Sequence, residues 1–291
     1  MADTQNVIYA QAYSRNIMQL AQQKYSKLVN TVYQKPNVRG KVFFQDQIGA
    51  WSMSAKGGRN VQTPNNDPKL SRRRGTMLDF HDNRLLDRGD ELRSISDPKS
   101  AYTIAAASSL GRTIDDRVLD GLVSSADSGE TGSTSVTLGS SSIVAATTGY
   151  LYLSNIASVK KVFDDNDVEE EDRYFVVTPT TLSNMLQQEQ MTSADYNAIK
   201  ALVRGEINTF MGFTWIVSTR IGQLTTGQTP YASSISGIAF QKYGICLAMG
   251  AQPMVRTDER ADLSYSWQIY YELNIGTVRL EEKRVVLATK T

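Results

Sequence analysis

The chain of 291 residues is poor in the side chains on which most hydrolases and secreted scaffolds depend. It has one cysteine, Cys246, and one histidine, His81. A lone cysteine excludes an internal disulfide framework and suits a reducing compartment. A lone histidine leaves no proton relay for a Ser-His-Asp or Cys-His hydrolase, and His81 with one distant cysteine cannot complete a zinc site. A surplus of charge is also missing: 31 Lys+Arg oppose 30 Asp+Glu, a net +1. Such neutrality gives no long-range attraction to phosphate and argues against a general nucleic-acid binder. No apolar run approaches the ~18 residues of a bilayer span, and Met1 to Asn6 carry no basic segment followed by an apolar one. No Walker-type loop, G-x-S-x-G elbow or G-x-G-x-x-G stretch occurs. These absences predict a soluble cytoplasmic product with no enzymatic activity, no cofactor, no metal and no membrane partner.

What is present can bury a core. The chain is 41% hydrophobic and 21% charged, outside the composition of disordered proteins. Ile8, Ala12, Ile17, Leu20, Ala21 and Leu28 recur at helical spacing, which predicts a helix over 7–33 ended by Pro36. Its apolar stripe is thin, as for an arm lying on another surface. From Arg39 to Arg74, eight basic residues face two acidic ones, a local surplus of six that leaves the remainder five negative. Val42-Phe43-Phe44 and Met77-Leu78-Asp79-Phe80 read as strands around a Gly-, Asn- and Pro-containing tip. Structureless loops beyond ~15 residues are uncommon in a compact domain and are usually functional.

The clearest helix starts at Asp97-Pro98, an N-cap followed by proline at the first helical position. Ile104, Ala107, Leu110, Ile114, Val118, Leu122 and Val123 predict its buried face, with Arg112 and Asp116 paired outside. Ser124 to Ser142 reads as a loop. Helices are expected over 151–163, 179–190 (capped by Thr178) and 193–203, and strands over 174–177, 213–218 and 237–240. Near the C-terminus Tyr265, Trp267, Ile269, Tyr271 and Leu273 alternate as a half-buried strand, Asn274-Ile275-Gly276 reads as a turn, and Val278 to Leu287 as the return.

Several groups are candidates for contact. Trp51 sits in a polar loop, where a large ring must either pack on something or stay wet. Arg72, Arg73 and Arg74 have no flanking aromatic for base stacking, so an acidic protein surface suits them better than nucleic acid. The run Asp164, Asp165, Asp167, Glu169, Glu170, Glu171, Asp172 fails the calcium-loop spacing, with Glu170 at the sixth position and Val176 at the twelfth counted from Asp165. It reads as a solvated turn or as a docking patch for basic residues of another subunit. His81 reads as an exposed strand residue; Cys246, Trp215 and Trp267 read as core.

The block Asp97-Pro98-Lys99-Ser100-Ala101-Tyr102, then Ala105-Ala106-Ala107, Leu110-Gly111-Arg112 and Asp115-Asp116, resembles a known family, as do Arg72 to Arg74, Leu78-Asp79, Asp90 and Leu92-Arg93 before it. The resemblance is to the major capsid proteins of tailed, double-stranded DNA bacteriophages, in a family with the Hong Kong 97-like fold common among short-tailed phages. It is strongest over 72–122. It implies an α+β fold with an N-terminal arm (1–38), an extended β loop (39–90), a peripheral domain with a spine helix near 97–125 (91–143 and 251–291) and an axial domain (144–250). It also implies a structural protein that self-assembles, as hexamers and pentamers, into an icosahedral shell around DNA held without sequence specificity. Scaffolding and portal proteins are then expected partners, a separate scaffold because no long segment precedes the arm; a decoration protein stays open. Assembly would take place in the bacterial host cytoplasm and the product would reside in the virion capsid. An encapsulin-like compartment shell enclosing protein cargo is the alternative. Candidate inter-subunit contacts are Trp51, Lys56, Arg59, Lys69, Arg72, Arg73, Arg74, Asp164, Asp165, Asp167, Glu169, Glu170 and Glu171. Some relatives cross-link loop lysines to asparagines; Lys56 and Lys69 match in position only, and no cross-link is expected.

Overall fold

The computed structural model describes residues 21–87, 99–146, 151–186, 208–224, 235–251 and 254–290. In chain order the elements are β1 (Tyr33–Lys35), β2 (Val42–Ile48), β3 (Leu70–Thr76), β4 (Leu78–Leu86), α1 (Lys99–Val123), β5 (Ala126–Ser128), β6 (Thr134–Val136) and β7 (Ile143–Ala146). Then come α2 (Leu153–Asp165), β8 (Arg173–Val177), α3 (Pro179–Leu186), β9 (Thr209–Phe210), β10 (Phe213–Val217) and β11 (Ile235–Gln241). The last four are β12 (Ile245–Met249), β13 (Met254–Arg260), β14 (Ser266–Arg279) and β15 (Val285–Lys290). The chain divides into two compact units: Met1–Tyr25, Phe80–Arg112 and Pro253–Leu273 form one, and Ser26–Asp79, Thr113–Gln252 and Asn274–Thr291 the other.

The larger unit is built on a six-stranded mixed sheet in the order β7-β15-β11-β8-β10-β9. Every residue of β11 is buried, as expected of a strand covered on both faces. Helix α2 lies against this sheet through Ile156, Val159 and Phe163, spaced three and four apart and fully buried. The aromatic rings there meet edge-on: Phe163 with Phe213 at 5.5 Å and Phe175 with Trp215 at 4.7 Å between centroids, geometry that adds about 0.5–1.5 kcal/mol per pair beyond burial. Thr178 accepts the Thr181 N–H at 3.2 Å and so caps α3 as expected.

A second cluster in the same unit gathers Phe43, Met77, Ala126, Cys246, Ala248, Val278 and Leu280. It lies where the four-stranded sheet β2-β3-β5-β6 meets β12 and residues 274–279 of β14. Burial pushes the Cys246 thiol up to about 11, so it stays protonated and unreactive. In the smaller unit β13 pairs antiparallel with β14, from Met254 opposite Glu272 to Arg260 opposite Ser266. His81 is exposed on β4.

Several expectations need correction. Residues 21–33 are not α-helical: they form irregular chain and a 3-10 turn at Val29–Thr31. Asp115 on α1 explains this, because it accepts the Lys27 and Leu28 N–H groups and the Ser26 hydroxyl and leaves them unavailable for helix. The rest of that predicted helix (7–20), the Asp97-Pro98 cap and the helix over 193–203 lie outside the described residues. Ile104 and Ala107 are exposed, while Ala106 and Leu110 are buried. Asp116 takes Arg220 as its partner rather than Arg112, whose Nη1 donates to Gln22 and Gln23. The Ser124–Ser142 stretch contains β5 and β6.

No turn occurs at Asn274-Ile275-Gly276: β14 runs unbroken for 14 residues. Gly276 serves close approach instead, since a Cβ there would fall 2.6 Å from the Thr76 carbonyl oxygen. The following strand, β15, pairs with β11 and β7. Trp215 is core; Trp267 is only half-buried, and Tyr265 is 57% exposed.

Candidate inter-subunit contact surface

The basic segment is a β hairpin whose strands pair from Val42 opposite Thr76 to Ile48 opposite Leu70. Beyond that pair the Gly49 N–H donates to the Lys69 carbonyl at 2.7 Å and closes the root of a tip spanning 50–68. Within the tip the Asn66 amide reaches the Ser52 carbonyl and the Ser54 hydroxyl at 3.4 and 3.2 Å. The tip is otherwise open to solvent. Trp51 is 72% and Met53 100% exposed, and Ile48, Val61 and Leu70 are exposed as well. Lys56, Arg59 and Lys69 are exposed and, among the described residues, have no ion-pair partner. Large apolar side chains left in water beside unpaired cations mark a surface shaped for association.

The three consecutive arginines separate by strand alternation. Arg72 projects to the outer face, bridges to Asp46 at 2.5 Å and lies 5.4 Å over the Phe44 ring. That hydrogen bond from Arg72 holds the Asp46 carboxyl below its ordinary range. Arg73 points the opposite way and is 7% exposed. Its Nε donates to the Leu280 carbonyl at 3.0 Å, and its Nη2 to both Glu282 oxygens at 2.9 and 2.7 Å. Arg73 therefore ties the hairpin to the C-terminal chain of its own subunit. Arg74 stands opposite Asp127 on β5, its stem over Gly132.

The acidic run turns the chain between α2 and β8. Arg173 organises it from inside: Nη1 donates to Asp164 at 2.8 Å, Nε and Nη2 to the carbonyls of Glu169 and Val168, and the guanidinium sits 5.4 Å over Phe163. Arg284 donates to Glu169, and this bond draws the Glu169 carboxyl below its ordinary range. Lys242 bridges to Asp172 at 3.5 Å. Asp165, Asp167, Glu170 and Glu171 are exposed, and their carboxylates have no hydrogen-bond or ion-pair partner among the described residues. The run is thus neither a calcium loop nor simply a solvated turn: three of its acids tie the turn down, and four face outward. No group of three His, Cys, Asp or Glu that could hold a metal occurs among the described residues.

Sequence reasoning identified the two charged segments but not their internal ties, because Glu282 and Arg284 lie more than a hundred residues from their partners. It also missed the arginines that carry no surface role, Arg173 and Arg279. Arg279 is fully buried and donates to the carbonyls of Leu122, Ser124 and Val136. Burial lowers its pKa, opposed by Glu282.

A family profile described as "Phage capsid protein" matches residues 6–290. Among solved structures the chain is similar to the capsid of the cyanophage P-SCSP1u, with 15% identity, 98% of this chain and 93% of that one covered, and a TM-score of 0.78. It is likewise similar to the mature capsid of bacteriophage PhiM1 (10% identity, 98% and 92% covered, TM-score 0.72) and to the capsid of Ralstonia phage GP4 (10%, 99% and 97%, 0.72). No curated protein sequence matches. The fold is the α+β, Hong Kong 97-like one that the sequence resemblance implied.

Proposed function

The chain belongs to the phage capsid protein family, a shell-forming structural protein of the virion, and from that premise we propose that its copies close into an icosahedral shell of hexamers and pentamers around a double-stranded DNA genome. The reaction is assembly, not catalysis: many modest contacts, repeated by symmetry, hold the particle. The genome is held without sequence specificity, and a scaffolding protein and a portal act with the coat during assembly in the host cytoplasm. Nothing in the fold or its matches favours the compartment-shell alternative.

The exposed hairpin tip carries this reading. Trp51 and Met53 lie in water on the isolated subunit, beside Lys56, Arg59 and Lys69. Draped over a neighbouring copy, the tip buries the apolar side chains and brings the cations towards the carboxylates of Asp165, Asp167, Glu170 and Glu171, which are unpartnered among the described residues. Arg72 adds to the hairpin's cationic face, whereas Arg73, Asp164 and Glu169 support the contact by holding hairpin and acidic turn in shape. In domain terms we assign 39–90 to the extended loop, α1 to the spine of a peripheral domain and 144–250 to the axial domain, with β15 completing the axial sheet.

Electron microscopy of the purified, overexpressed chain tests the proposal. Closed shells are the expected product, and particles recovered from infected cells should protect DNA from nuclease. A chain that stays monomeric at every concentration, or particles filled with protein and no DNA, would overturn it.

A further inference from the structure

The hairpin has a bare edge. In the sheet β2-β3-β5-β6, β2 is an outermost strand and pairs only with β3 among the described residues. The register fixes which main-chain groups face that partner. The Lys41 carbonyl accepts the Met77 N–H, and the Gly49 N–H donates to the Lys69 carbonyl. Odd-numbered residues of β2 therefore turn their N–H and C=O groups towards β3, and even-numbered ones turn theirs away. Phe44 fits this direction: its carbonyl accepts from Lys35 Nζ at 2.9 Å. Asp46 and Ile48, further out, are uncovered. The Asp46 carbonyl meets only the Gln45 side-chain amide, at 3.5 Å. The Asp46 and Ile48 N–H groups and the Ile48 carbonyl have no hydrogen-bond partner among the described residues.

A free strand edge invites pairing with another chain, and proteins guard such edges with charges, proline or a bulge. The other long edge strand, β13, is guarded in this way: Arg256, Asp258, Glu259 and Arg260 make four of its seven residues charged. In contrast, β2 carries one charge, Asp46, already bonded to Arg72. Residues 47–55 beyond it hold neither a charge nor a proline, and the β2–β3 register runs without a bulge. Ile48 is 73% exposed and leads directly into the tip with Trp51 and Met53. An edge left open at the start of an association surface is shaped to be covered.

We propose that the outer edge of β2 receives an extended segment of a second copy of the chain, which adds a strand to the sheet by bonding to the N–H and C=O groups of Asp46 and Ile48. This rests on the shell assembly proposed above, in which the adjoining tip lies on a neighbouring copy whose chain then comes within reach of the edge. The two contacts differ in kind. The tip offers side chains, which choose the seat; the edge offers main-chain groups, which fix the direction in which the hairpin runs over its neighbour.

The test is residue-resolved hydrogen exchange of the full-length chain, unassembled and in closed shells formed from the purified chain alone. In the unassembled chain the Asp46 and Ile48 amides should exchange fast, and those of Gln45 and Gln47, which face β3, slowly. In shells the Asp46 and Ile48 amides should slow by roughly a hundredfold or more. Ile48→Pro removes an outward N–H and no bond to β3, a place where an edge strand tolerates proline. It should leave the circular dichroism spectrum unchanged and prevent closure, whereas Ile48→Val should close normally. Asp46 and Ile48 amides as fast in shells as outside them, or normal shells from Ile48→Pro, would overturn the proposal and leave the assembly standing. If Ile48→Pro does not fold, the exchange of the unmodified chain decides. Slow exchange only in shells that contain another protein would make that protein the occupant and overturn the proposal equally. An unmodified chain that forms no shells would overturn the assembly itself.

Discussion

Arginine does two opposite jobs here, and the surroundings of each side chain decide which. Arg72 lies outside, where pairing with Asp46 is screened by water and adds little. Arg73, one residue on, is buried against the Leu280 carbonyl and Glu282, and truncating it would take the donor from that carbonyl and leave Glu282 only the longer contact with Arg279 at 3.6 Å. The alternation that separates them was missed, because the sequence reading put 72–74 in the tip between its two strands, whereas 70–76 is itself a strand; the partner 209 residues away was missed too. Glu169 illustrates how such ties respond to acid. Its carboxyl is held below the ordinary 4.5 by the hydrogen bond from Arg284. A depressed carboxylate pKa contributes stability that is fully present above the unfolded value and lost as pH falls through the folded one. We therefore expect Glu169→Gln to lower stability at neutral pH by less than about 1 kcal/mol, since the side chain is mostly exposed. The gap between variant and parent should close below pH 4.5 in a series of melting curves; a gap that persists in acid would assign the tie to packing.

At the scale of elements the base of the hairpin shows how closely strands are fitted. Gly75 stands opposite Phe43 in the β2–β3 register, and a Cβ there would fall within the Phe43 ring. Gly276 admits the same ring from β14, with Phe43 Cε1 3.0 Å from where its Cβ would be. The ring thus fills space that two glycines vacate. Gly75→Ala should cost roughly 1–3 kcal/mol, the usual penalty for overpacking, read as a lower urea midpoint at unchanged slope; a neutral substitution would show that the ring can move aside. This also explains why sequence reading failed at Gly276. Asn-Ile-Gly is turn chemistry, yet here the glycine is needed for contact, and the strand continues through it. Elements with strong local patterns, namely α2, β8, β10, β11 and most of α1, were legible. Those shaped by distant partners were not: the irregular chain at 21–33 follows from Asp115, and the pairing of β15 with β11 rather than β14 follows from the six-stranded sheet's need for a covered central strand.

For the whole molecule, the proposed contact assigns folding and assembly to different side chains. The ties that hold the hairpin and acidic turn in place lie within the subunit, whereas the side chains of Lys56, Arg59 and Lys69 have no hydrogen-bond or ion-pair partner among the described residues. Reversing all three to glutamate should leave the circular dichroism spectrum intact and the stability within about 0.5 kcal/mol. It should also abolish closed shells under the electron microscope; normal shells from that variant would remove the tip from the contact. The same bare tip sets a limit on the free subunit. Apolar rings and thioethers held in water find one another as readily as they find their proper seat. The proposed assembly therefore predicts a narrow working concentration for unassembled copies, too few failing to nucleate and too many sticking tip to tip, with recruitment into a growing lattice keeping the pool dilute.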